Sequence, residues 1–595
     1  MSLHLLPIVC ATSFPCSSVS TFRRIASFEH HGSHPCSSPR IRCSGQPLLR
    51  RSANYQPNLW TNDYIQSLTS DHSMDEQNAA RISNLEKEVV KLIQEEKELE
   101  DQLHLIDHLQ QLGVAYHFKD DIKDALGSIH GSLEDTSKLL KDNLDATALL
   151  FRLLRENGFD VSEDMFSRFK DEKGHLKTCL QHQTKGMLSL YEASYHGKEG
   201  EFVLIEAMDF TTKHLKKLME EGSLEPRFRE HVAHALELPL NWRMERIHTR
   251  WFIETYQREA TMNPLLLELA RRDFNLIQSM HKRELKEVSR WWTDLGLAQR
   301  LPFSRDRLME NYLWTVSWAF EPQFWSFREM QTKLVSLISV IDDVYDVFGT
   351  LDELELFTNV VDRWDVNAID NLPGYMKLCF LVVFNMANDA GYRVMKEKGL
   401  DIIPYLKRAW ADVCKSYLVE ARWYHHGSTP KLGEYLDNAW TSVSSPLLLT
   451  HAYCMSEDLT AEALPNICKY QDFVRRSSML YRLYNDLATS KAEVSRGDAP
   501  KSIQCYKHEK SVSEDVAREK LRELIRVNWR AVNGDRTSSS PLEEYLKRVA
   551  INIPRMAQFL YEHGDGYGIP DGETKNQIVL LFIQPIDRDL DISQE

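Results

Sequence analysis

Apolar residues recur three and four positions apart through most of this chain, and that spacing limits it to helices. Leu85, Val89 and Leu92, then Leu99, Leu103 and Ile106, fall on one helical face with Glu and Lys between them. Similar patterns continue to the C-terminus, while the apolar–polar alternation of strands is missing. No repeat of 30–45 residues argues for a solenoid. The expected fold is all-α. At 595 residues the chain has material for two large domains or more. It carries 87 Asp and Glu against 72 Lys and Arg, a balance that excludes general affinity for nucleic acid or anionic membrane. No run approaches the ~18 unbroken apolar residues of a membrane span.

Residues 1–49 are of different composition. They are rich in Ser, hold Arg23, Arg24, Arg40 and Arg42, and have Glu29 as the sole acid. Ser-rich, basic and acid-poor describes an organelle transit peptide. Plastid import is the first reading and mitochondrial import the second. The remaining cysteines, Cys179, Cys379, Cys414, Cys454, Cys468 and Cys505, are scattered without a C-x-x-C pair, which suits a reducing compartment. A change of character near residues 258–268 places a domain boundary at about 262. Two helical domains, 50–261 and 262–595, are expected.

Chemistry concentrates in the second of these. Residues 338–349 read I-S-V-I-D-D-V-Y-D-V-F-G. On a helix Asp342, Asp343 and Asp346, three and four apart, crowd one face and repel. The apolar run before them implies a buried helix, and carboxylates on a buried helix need a cation. Hard oxygen ligands favour Mg²⁺. A bare D-D-x-x-D is weak evidence. Asp120, Asp121 and Asp124 match the same pattern, but Lys119 and Lys123 interleave with them and no apolar run leads in, so that copy reads as a solvated face. Asn485, Thr489 and Glu493, spaced i, i+4, i+8, stack an amide, a hydroxyl and a carboxylate along another helix. Arg482 lies three residues before Asn485, and Arg305 and Arg307 flank Asp306. An arginine fork suits a phosphate bound with the metal.

Taken together these residues resemble the plant class I terpene synthases of the plastid monoterpene type. The resemblance runs from Arg50 onward. It rests on D-D-V-Y-D at 342–346, N-D-L-A-T-S-K-A-E at 485–493, R-D-R at 305–307, R-G-D-A-P-K-S-I-Q-C-Y at 496–506 and M-N-P-L-L-L-E-L-A at 262–270. Arg50 and Arg51 also precede Trp60 with the spacing typical of monoterpene synthases. The resemblance implies a class I terpenoid synthase fold in the C-terminal domain, with residues 50–60 as a strap across the site. No D-x-D-D acid is found, so protonation-initiated chemistry is not expected.

By the same resemblance the substrate is a prenyl diphosphate, geranyl diphosphate first. Asp342, Asp346, Asn485, Thr489 and Glu493 would hold three Mg²⁺, with Mn²⁺ as the alternative ion. Asp343 belongs to the motif with a less direct role. Arg305 and Arg482 would receive the departing diphosphate. Trp314, Tyr561 and Tyr567 are the aromatic candidates for facing the carbocation, set against their ordinary use in packing. The loop Arg496–Lys501 would close on binding, and Pro446 would bend the chain at 442–446 to shape the pocket. A small residue at Val335 favours a C10 over a C5 substrate. A cyclic olefin is the expected product. The alternatives are a linear product or an alcohol, a sesquiterpene synthase using farnesyl diphosphate, a chain-elongating prenyltransferase, and an inactive helical binding protein. A monomer without nucleic-acid partners is expected.

Overall fold

The computed structural model describes residues 50–69, 76–140, 142–570 and 572–587. Residues 1–49, read as a transit peptide, lie outside them. Among the described residues the chain is helical, and its β pairing is one isolated bridge between Lys170 and Leu176. The periodicity at 85–106 forms two helices rather than one, Glu76–Glu95 and Leu99–Gln111. They bury Leu85, Val89, Leu103 and Ile106.

Ten helices frame the region of interest. They are α1 (Pro264–Leu295), α2 (Leu308–Trp318), α3 (Trp325–Asp343), α4 (Ile403–His425), α5 (Leu432–Ser442), α6 (Ser445–Cys454), α7 (Gln471–Arg496), α8 (Ser502–Lys510), α9 (Glu514–Gly534) and α10 (Pro541–Tyr561). α1 shows why such segments are helices. Asn263 caps it by accepting from the Leu265 N–H, Pro264 occupies the first turn, and Gly296 ends it at φ 66°. α7 is central and packs against α5, α6, α9 and α10. α3 packs against α2 and α6. In α3, Leu334, Leu337, Val340 and Ile341 are buried, each contributing roughly 1.5–3 kcal/mol.

Two breaks position side chains. α3 ends at Asp343 and runs into a π turn, Val344–Phe348, closed by Gly349. A Cβ at Gly349 would lie 2.7 Å from Leu354 Cδ2 and 2.9 Å from the Val344 carbonyl oxygen, so no side chain fits. The break between α5 and α6 lies at Ser444, which adopts φ 67°. Pro446 was expected to bend the chain. It stands instead in the first turn of α6, where its missing N–H costs nothing.

Residues before and after 262 are tied together. The Tyr116 hydroxyl donates to Asp273 at 2.5 Å, and Trp242 stacks on Trp529 with centroids 5.6 Å apart. None of the described helices is long and apolar enough to cross a membrane.

Candidate active site

Both acidic motifs sit at helix C-terminal ends. Asp342 and Asp343 close α3, and Glu493 lies in the last turn of α7. The helix dipole is negative there and disfavours carboxylates, so each end calls for a positive partner. The charges of Asp342 and Asp346 interact, and fully buried Asp343 feels the charge of Asp342 and shares the Arg305 guanidinium with it. Asp343 accepts the Arg305 backbone N–H at 2.7 Å and its Nε at 3.2 Å. The Arg305 Nη2 donates to Asp342 at 2.5 Å. The Arg305 guanidinium lies 5.0 Å from the Tyr55 ring centroid and 5.5 Å from that of Tyr567. Burial nevertheless raises the Asp343 carboxyl above its usual range.

On α7, Arg482 donates to Asn485 Oδ1 at 3.0 Å and to Asp486 at 3.3 Å. The Thr489 hydroxyl donates to the Asn485 carbonyl at 2.9 Å. One Glu493 oxygen, Oε2, is buried with no hydrogen-bond partner. Burial pushes Glu493 up to about 7. Burial and the charge of Asp342 push Asp346 up to about 8. Lys501 and Asp498 act electrostatically on both carboxyls, so the two motifs converge on shared neighbours. Lys501 is itself buried and donates to Glu420 at 2.7 Å.

The donors are carboxylate, amide and hydroxyl oxygens, and one carboxylate oxygen has no hydrogen-bond partner. That set fits a hard divalent cation, and the orphaned Glu493 oxygen is the atom a cation would satisfy. Asp120, Asp121 and Asp124 make no comparable arrangement. Asp120 and Asp124 are exposed, and Asp121 accepts from Gln94 at 3.2 Å.

Three arrangements were not read from the sequence. Asp486 adjoins Asn485 but faces inward. It accepts from the Tyr435 hydroxyl at 3.0 Å and from the Ser502 hydroxyl and backbone N–H, pinning the start of α8. The buried Lys501–Glu420 pair had no signal beyond the R-G-D-A-P-K string. Arg307 does not face the acidic motifs. It donates to the carbonyls of Tyr567, Gly568 and Gln56, joining the C-terminal loop to the N-terminal segment.

That N-terminal segment lies across the motifs. Arg50 pairs with Glu353 at 2.7 Å and donates to the Phe348 carbonyl at 2.9 Å. Arg51 donates to the Asp346 carbonyl at 3.0 Å and pairs with Asp498 at 2.8 Å. The aromatic candidates also gather. Trp314 and Tyr561 both flank Tyr481, with centroids 5.0 and 6.4 Å from it. The Tyr567 hydroxyl donates to Asn311 at 2.8 Å and bonds Ser339, a turn before Asp342.

Comparison with known proteins agrees with this geometry. Residues 59–236 match the family described as terpene synthase, N-terminal domain. Residues 293–531 match the terpene synthase family, metal binding domain. The chain is 60% identical over 547 residues to monoterpene synthase 8, chloroplastic, of Hedychium coronarium, covering 90% of this chain and 93% of that one. The chain belongs to the terpene synthase family. This synthase superposes on limonene synthase with 2-fluorolinalyl diphosphate at a TM-score of 0.87. The two are 42% identical over 91% of this chain and all of the other. It is also similar to the isoprene synthase of grey poplar leaves in complex with three Mg²⁺ and dimethylallyl-S-thiolodiphosphate. There the TM-score is 0.80 with 43% identity, over 89% of this chain and 99% of that one. The synthase thus has the two-domain helical fold expected of it.

Proposed function

We propose that this terpene synthase is a plastid monoterpene synthase that ionises geranyl diphosphate. The observation that carries the reading is the convergence of two oxygen-rich helix ends, one with a buried unpartnered carboxylate oxygen, beside the buried Arg482 and the partly buried Arg305. The relatives named above support the C10 substrate and the chloroplast location. The domain boundary is assigned to about residue 262, between the two family matches.

Asp342, Asp346, Asn485, Thr489 and Glu493 would hold Mg²⁺, three ions by analogy with the isoprene synthase complex. Mg²⁺ supplies positive charge to the diphosphate and stabilises it as a leaving group. The C–O bond then breaks heterolytically and its electron pair stays on the diphosphate oxygen. Arg482 and Arg305 offer fixed guanidinium donors to that oxygen cluster. Arg305 must first exchange its bond to Asp342, an exchange that a cation bound at that carboxylate would favour. Asp343 acts by positioning Arg305. The remaining allylic cation needs a dry enclosure, with faces that stabilise without bonding. Trp314, Tyr561 and Tyr567 supply those faces. Arg50, Arg51 and the 496–501 loop cover the acidic side and exclude water.

Gas chromatography–mass spectrometry tests the proposal. Residues 50–595 are incubated with geranyl diphosphate, and separately with farnesyl diphosphate, with Mg²⁺ or chelator. A C10 product that disappears with chelator is expected. Product from farnesyl diphosphate alone makes the protein a sesquiterpene synthase. Folded protein inert toward both is a binding protein.

A further inference from the structure

Glu493 Oε2 is buried without a hydrogen-bond partner, yet a buried ammonium, that of Lys501, stands in the same region. The chain on either side of Lys501 fixes where it is. Three residues earlier, Asp498 pairs with Arg51 at 2.8 Å, and Arg51 donates to the Asp346 carbonyl at 3.0 Å. One residue later, Ser502 donates its backbone N–H at 3.2 Å to Asp486, the neighbour of Asn485 on α7. Lys501 thus lies between the Asp346 turn and the ligand face of α7, and its charge acts on both Asp346 and Glu493. A buried ammonium needs a carboxylate. Lys501 takes neither of the motif carboxylates next to it. It donates instead to Glu420 Oε2 at 2.7 Å, on α4.

Glu420 belongs to no motif in the sequence. Its side chain is 3% exposed, and both oxygens are engaged. Oε2 accepts from Lys501, and Oε1 accepts from the hydroxyl of Ser442 at the end of α5. Ser442 Oγ in turn accepts from Arg482 Nη2 at 3.3 Å. A carboxylate with a lysine on one oxygen and, through a hydroxyl, an arginine behind the other is a strong partner for the ammonium. We propose that Glu420 is a positioning residue that holds the Lys501 ammonium away from Asp346 and Glu493, so that a divalent cation and not a lysine takes their oxygens. This rests on the metal-ligand assignment above. Without the Glu420 charge, the carboxylates that remain around Lys501 include Asp346 and Glu493. An ammonium bonded to either must be displaced before the metal binds, and the apparent metal affinity falls by that competition.

The test is a double-mutant cycle on the full chain with Mn²⁺ alone as the probe, free Mn²⁺ being read by electron paramagnetic resonance. Wild type, E420Q, K501Q and E420Q/K501Q are titrated, each variant keeping a hydrogen-bonding side chain at the altered position. E420Q should weaken Mn²⁺ binding severalfold relative to wild type. In the K501Q background, where no ammonium competes, the same substitution should change binding little. Loss of negative charge alone would weaken binding by the same factor in both backgrounds, and that result overturns the proposal. So does an E420Q variant that loses Tm but binds Mn²⁺ like wild type. A metal-free crystal structure of E420Q gives a reading that does not depend on the double variant folding. Lys501 Nζ should lie within hydrogen-bond distance of an Asp346 or Glu493 oxygen, and an ammonium still bonded to residue 420 overturns the proposal. Turnover of geranyl diphosphate is measured on the same wild-type preparation. The expected affinities without turnover would support the positioning role and defeat the monoterpene synthase reading.

Discussion

Asp342 and Glu493 stand where a helix dipole opposes a carboxylate, and burial penalises the charge of Asp346 and Glu493. They are costly residues in the absence of cations. Asp342→Ala should lower turnover of geranyl diphosphate by about 10²-fold or more, the scale of losing a transition-state charge partner. Helicity by circular dichroism should hardly change, and near-normal turnover would remove the ligand assignment. A pH dependence follows as well. Asp346 and Glu493 keep their protons in the folded protein up to about 8 and about 7. The unfolded chain releases them near pH 4. Between those values the folded state binds more protons, so stability of the metal-free protein falls as pH rises through the window. Mg²⁺ should offset this. Its increase in Tm should be larger at pH 8 than at pH 6 and should shrink in Asp346→Asn. An equal increase at both pH values would contradict the site. At this scale the spacing made Asn485, Thr489 and Glu493 legible. It could not show that Asp486, one residue away, turns inward to Ser502, because that depends on which helix packs behind α7.

Among the elements, the loop 564–568 and the N-terminal segment carry the site's cover. A Cβ at Gly568 would fall 2.2 Å from Asp565 Oδ2, so the Asp565 carboxylate would have to move. Asp565 also accepts the Gly568 N–H at 2.7 Å, and Arg307 is bonded to the Gly568 carbonyl. Gly568→Ala should therefore cost about 1–3 kcal/mol of stability, the range for overpacking, measured by urea denaturation. It should also slow turnover, because Tyr567 carries the bond to Asn311 beside α3. The arginine pair behaves differently. Arg51 and Asp498 are partly exposed, and such a pair contributes only about 0–1 kcal/mol. Arg51→Ala should leave Tm almost unchanged while lowering kcat/KM, since the contact covers the Asp346 turn. A large loss of Tm with unchanged kcat/KM would reverse that assignment. Helix type was legible throughout. A break at 442–446 was read from Pro446, but the π turn after Asp343 and the left-handed φ of Ser444 were not, because Gly349 marks only the end of the one and Pro446 only the helix that follows the other. Ser444 is held there by tertiary structure, its hydroxyl bonded to that of Tyr417 at 2.7 Å.

For the whole molecule, the composition of residues 1–49 predicts an address independent of the catalytic fold. A fluorescent protein fused behind these residues should enter plastids in plant cells. The same reporter on residues 50–595 should stay in the cytosol, and confocal imaging separates the two. The all-α class was legible at this scale because periodicity is a local property. The closure of residues 50–60 over residues 346–353 was suggested by resemblance alone, since no local pattern encodes a partner some 300 positions away.

The span of that closure has a kinetic consequence. Arg51 contacts Asp346 across 295 positions and Asp498 across 447. Contacts so distant in sequence come late in folding, since the intervening chain must already be compact before their loop-closure entropy is recovered. During synthesis Arg51 emerges among the first residues and Asp498 among the last. The catalytic face is thus the seam along which the finished chain closes on itself. A truncated polypeptide ending before Asp498 would lack α8, α9 and α10, and with them both the packing of central α7 and one edge of that seam.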